Sequence, residues 1–74
     1  MGKLNLLIVE DNLLVGSAVR EILKAEGHDV FVVENGESGR RAVSDRIFNV
    51  IFLDLMLPDV DGQVLLEEWG QAYP

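Results

Sequence analysis

The sequence predicts an α/β domain built on a parallel sheet with strand order 2-1-3. Three observations lead there. Short runs of Val, Ile, Leu and Phe alternate with longer stretches whose apolar residues recur at helical spacing. The order strand, helix, strand, helix, strand, helix demands parallel pairing through helical crossovers. Right-handed crossovers that cover both faces of the sheet require its growth to reverse direction, and the reversal falls at the first strand.

Taken in order, Leu4 to Val9 reads as strand 1, closed by Glu10-Asp11-Asn12. Helix 1 follows from about Leu13 to Glu26, with Leu14, Val15, Ala18, Val19, Ile22 and Leu23 as its inward stripe. Asp11 or Asn12 fits its N-cap, and Gly27 fits the left-handed position that ends a helix. Val30 to Val33 is strand 2, and Glu34-Asn35-Gly36-Glu37 is a turn. Helix 2 runs from about Glu37 to Arg46 with Ala42, Val43 and Ile47 as its stripe; Gly39 costs about 1 kcal/mol there relative to Ala. Asn49 to Leu53 is strand 3. Its Val50-Ile51-Phe52-Leu53 reads as buried on both faces, because large apolar residues run on without polar alternation. Leu55 to Gly62 is a loop. Asp61 fits the N-cap of helix 3, in which Val64, Leu65, Leu66 and Trp69 face inward. Asp59 reads as loop solvation, Met56 as packing and His28 as a surface residue.

The chain has 74 residues, 49% of them hydrophobic, enough for one small domain with a core. With no cysteine it has no disulfide or zinc-thiolate site. The net charge of −7 and the scattered Lys3, Arg20, Lys24, Arg40, Arg41 and Arg46 argue against a nucleic-acid partner. Leu4 to Val9 is too short for a signal peptide, and no apolar run reaches the roughly 20 residues that span a bilayer. The expectation is a cytoplasmic chain with no membrane partner.

The topology has a chemical consequence. Glu10 and Asp11 leave strand 1, and Asp54 leaves strand 3, at the carboxyl ends of the strands flanking the switch point. Three carboxylates in one crevice repel unless a cation joins them. Oxygen-only ligands suit Mg²⁺, or Mn²⁺ in its place. Mg²⁺ is commonly shared between carboxylates and a phosphate, and Asp can accept a phosphoryl group. Each residue also has a plainer reading: Asp11 as a helix cap, Asp54 as a turn residue, Pro58 and Gly62 as turn formers. The backbone carbonyl of Met56 is near enough in sequence to Asp54 to join a metal.

Leu7-Ile8-Val9-Glu10-Asp11-Asn12, then Val50 to Pro58, then Asp61-Gly62, resemble the receiver domain of bacterial two-component response regulators. The resemblance covers essentially the whole chain. It implies a flavodoxin-like fold, with Asp54 accepting a phosphoryl group from a sensor histidine kinase. It also implies that Glu10, Asp11, Asp54 and the backbone carbonyl of Met56 hold Mg²⁺, and that Pro58 and Gly62 shape the loop after the acceptor. The implied role is signalling rather than enzymatic. The family's sheet has about five strands, so residues 1–74 read as a partial receiver domain, strands 1–3 with helices 1–3. The Ser or Thr switch residue of the family's fourth strand and the Lys of its fifth are not matched; the chain has no Thr, and Lys3 and Lys24 stand elsewhere. Such a module is expected to switch poorly, and either to self-associate through the open edge of strand 3 or to fold poorly. The alternative is a self-assembling half-domain without phosphotransfer. An aspartate-nucleophile phosphohydrolase would want an Asp at position 56, where Met56 stands. A dinucleotide fold would want a Gly-rich loop where Glu10-Asp11-Asn12 stands.

Overall fold

The computed structural model describes residues 2–72. Its elements are β1 (Asn5–Val9), α1 (Leu13–Ala25), β2 (Asp29–Val33), α2 (Gly36–Asp45), β3 (Val50–Leu53) and α3 (Gly62–Ala72). The three strands form one parallel sheet in the order β2-β1-β3, as the crossover argument requires. Element ends lie within about one residue of the expected ones, with α1 stopping at Ala25 and β3 starting at Val50.

β1 is central, and Leu6 to Val9 are all buried. Strand alternation sends Leu7 and Val9 to one face. There they meet Ala42 of α2, Phe48, and Leu65 and Trp69 of α3. Trp69 lies against α2 because residue 39 has no side chain; a Cβ there would sit 3.0 Å from its ring. The propensity cost of Gly39 is therefore offset by aromatic packing. Phe48, which the helical stripes did not include, is buried in the connection from α2 to β3, whereas Ile47 beside it is exposed.

The opposite face is thinner, and several expectations are corrected there. α1 is capped by Asn12, whose Oδ1 accepts from Leu14 N–H (3.1 Å) and Val15 N–H (3.3 Å). It ends at Gly27 with φ 94°. Yet of the expected stripe only Val19 and Leu23 are half-buried, and Leu14 is 84% exposed. The cause is where α1 sits. Its buried contact is Gly16, close to Val32, so the helix leans over β2 and leaves an open groove toward β3 lined by Val15, Val19 and Phe52. β3 is consequently not buried on both faces. Ile51 and Leu53 pack on the core, while Val50 and Phe52 are 40% and 45% exposed on the α1 side. In α3, Leu65 and Trp69 are buried, but Val64 and Leu66 are exposed, because one helix face meets the sheet and the stripe is narrower than expected. Met56 does not pack: it is 83% exposed.

Candidate functional site

The crevice forms where β1 and β3 end side by side, with Val9 registered beside Leu53. The next residues leave the sheet together, and Asp54 N–H donates to the Val9 carbonyl at 3.0 Å. Glu10, Asp11 and Asp54 each bring a carboxylate oxygen within 4.8 Å of the others. Because Asn12 caps α1, Asp11 is spared that role, and its exposed carboxylate belongs to the cluster.

Backbone donors orient two of the three. Asn12 N–H donates to Glu10 Oε2 at 3.1 Å, and Met56 N–H donates to Asp54 Oδ1 at 3.0 Å. The two carboxyls titrate in opposite directions. The Asn12 N–H pulls Glu10 down, but burial and the neighbouring Asp54 and Asp11 carboxyls outweigh it and raise Glu10 above the usual glutamate value. Asp54 is held below the usual aspartate value, first by the Met56 N–H and then by the Glu10 carboxyl. The two carboxyls therefore titrate as a coupled pair. Three hard oxygen donors brought this close fit a small divalent cation.

The loop from Leu55 to Gly62 closes on itself. Gly62 N–H donates to the Leu55 carbonyl at 3.0 Å, and Met56 bridges Asp61. Gly62 is required by close approach: a Cβ would overlap Leu55 Cα and lie 2.8 Å from the Asp54 carbonyl oxygen. Asp61 caps α3 as expected, its Oδ1 accepting from Gln63 N–H at 2.9 Å. Asp59 is not loop solvation. It accepts from Gly36 N–H (2.8 Å) and Glu37 N–H (3.0 Å) at the start of α2. No local pattern reveals that contact, because the partners lie 22 and 23 residues back. A separate cavity of about 510 Å³ opens at the other end of the sheet, lined by Lys24, His28, Phe31 and Arg46 among others, far from the carboxylates.

The family model of the response regulator receiver domain matches residues 6–73. The chain belongs to this family. Over 74 residues this receiver domain is 32% identical to the transcriptional regulatory protein QseB of Escherichia coli O157:H7, covering 96% of this chain and 34% of that protein. It is 34% identical over 64 residues to the aerobic respiration control protein ArcA of Escherichia coli K12, covering 86% and 27%. Among solved structures, the CheY-like receiver domain from Methanospirillum hungatei JF-1 superposes with a TM-score of 0.94 at 29% identity, covering 99% of this chain and 58% of that one. The flavodoxin-like fold and the 2-1-3 sheet are those of the family. The chain spans 34% and 27% of the length of these two curated relatives.

Proposed function

We propose that this receiver domain accepts a phosphoryl group on Asp54 from the phosphohistidine of a sensor histidine kinase in the cytoplasm. Glu10, Asp11, Asp54 and the backbone carbonyl of Met56 would hold Mg²⁺. The observation that carries this reading is the position of Asp54: it leaves β3 inside a three-carboxylate cluster, held through Oδ1 by the Met56 N–H. Held below the usual aspartate value by the Met56 N–H, it is ionised at neutral pH, the form that can attack phosphorus. One bond forms, from an Asp54 oxygen to phosphorus. One breaks, from the donor nitrogen to phosphorus, and the imidazole keeps the electron pair. Bound Mg²⁺ would supply charge neutralisation for the phosphoryl oxygens and the crowded carboxylates.

The test is mass spectrometry after incubation with a small phosphoryl donor and Mg²⁺. One hydroxylamine-labile phosphoryl group is expected on the wild type and none on Asp54→Asn. Equal labelling of both would remove Asp54 from the role. A second reading concerns assembly and is favoured by one observation: β3 is an outer strand with Val50 and Phe52 exposed. Two copies of the 74-residue chain would pair through these edges.

A further inference from the structure

The structure assigns Asp59 a positioning role. Its carboxylate fastens the acceptor loop to the first turn of α2 and so holds Met56 where it meets Asp54. This rests on the phospho-acceptor reading above and adds a residue outside the carboxylate cluster.

A helix leaves its first four N–H groups without partners in the helix. In α2, the Asn35 side chain answers one of them: its Oδ1 accepts from Ser38 N–H at 2.8 Å. The Asn35 carbonyl accepts the first intrahelical bond, from Gly39 N–H at 3.1 Å. Two more, Gly36 and Glu37, are answered by Asp59, one carboxylate oxygen each, at 2.8 and 3.0 Å. The cap of α2 is thus completed only by the loop that follows the acceptor. The two segments also touch sterically: a Cβ on Gly36 would lie 2.8 Å from Val60 Cβ.

The loop can transmit this restraint because it is a closed ring. Its base is tied by Gly62 N–H to Leu55 O, Met56 bridges Asp61, and Met56 N–H reaches Asp54 Oδ1. Asp59 sits between those ties. Releasing it frees one side of the ring that carries Met56, and with it the donor that sets the rotamer of Asp54. Groups that only orient metal ligands act in this way on affinity.

The test is a Mg²⁺ titration of the 74-residue chain followed by two-dimensional amide NMR, for the wild type, Asp59→Ala, Asp59→Asn and Asp54→Asn. Asp59→Ala is expected to weaken Mg²⁺ binding on the order of tenfold, with a dispersed spectrum and a shifted Met56 amide before any metal is added. Asp59→Asn keeps one acceptor oxygen and falls between the two. Wild-type affinity in Asp59→Ala, with the Gly36 and Glu37 amides displaced, would overturn the inference and leave Asp59 as a helix cap alone. If Asp59→Ala does not fold, wild-type affinity in Asp59→Asn overturns it in the same way. Undiminished binding by Asp54→Asn would remove Asp54 from the metal site and overturn this inference, while the acceptor role is decided separately by the labelling experiment. Binding that needs Asp54 but ignores Asp59 would sink only the inference.

Discussion

Leu65 and Leu66 are identical neighbours in sequence with opposite surroundings. Leu65 is fully buried against Leu7, Val9 and Trp69, whereas Leu66 is 53% exposed. Leu65→Ala removes methylenes from a packed core and is expected to cost about 2–5 kcal/mol. That is enough to unfold a chain of this size under mild conditions. Leu66→Ala is expected to fall within about 0.5 kcal/mol of the wild type. Urea unfolding of the two variants checks this, and equal losses would mean that α3 packs on a different face. Gly62→Ala tests a second residue-scale constraint. The new Cβ would meet backbone atoms of Asp54 and Leu55, which cannot rotate aside as a side chain can. The acceptor loop must shift, with an expected cost of about 1–3 kcal/mol by the same assay, and phosphorylation of Asp54 should slow. Gly62 reads as a turn former in the sequence because spacing reveals that a loop bends. It does not reveal that the loop's two ends touch.

At the scale of elements, α2 is the case where local reading stops short. Asn35-Gly36 signals a turn, and the structure uses Asn35 as a helix cap instead. The other half of the cap, Asp59, comes from across the molecule and carries a pH dependence. Hydrogen bonds from Gly36 N–H and then Glu37 N–H hold Asp59 below the ordinary aspartate value of 3.8. A depressed carboxyl stabilises the fold above its unfolded pKa, and that contribution is lost as pH falls through the lower folded value. Glu68, lowered by its hydrogen bonds to Arg40 across α3 and α2, has the same sign below 4.5. The first turn of α2 is therefore expected to loosen as pH drops below about 4, and Asp59→Ala should flatten that part of the acid-unfolding curve. Amide exchange at Gly36 and Glu37 between pH 6 and pH 3 measures it. Equal acid sensitivity in the variant would mean that other carboxyls govern the transition. Glu10 acts in the opposite sense: with its pKa raised, it favours the folded state more on the acid side.

For the molecule as a whole, sheet order and the carboxylate crevice were legible because both follow from topology. Handed crossovers place the ends of β1 and β3 together, and Glu10, Asp11 and Asp54 occupy those ends. The burial of α1 and β3 was not legible, because periodicity reports which residues are apolar but not whether anything covers them. Leu14, Ile22 and Phe52 share the helical and strand patterns of core residues and remain exposed. That exposure is expected to govern how the 74-residue chain behaves in solution. Among the described residues no strand lies beside the outer edge of β3, and apolar grooves flank it toward α1 and toward α3. Two copies related by a two-fold axis normal to the sheet would pair β3 with β3 antiparallel. This puts their acidic crevices at opposite ends of a continuous sheet, so that the two −7 charges are kept apart where they are densest. A parallel pair would set the crevices side by side. Apparent mass by sedimentation is therefore expected to rise with concentration, and to rise further with added salt as repulsion between the acidic copies is screened. Phe52→Lys places a charge on the edge and should hold the chain monomeric at the same concentrations. A wild-type chain that stays monomeric at high concentration, with slowly exchanging β3 amides, would show that the edge is stable without a partner and would end the proposal of pairing.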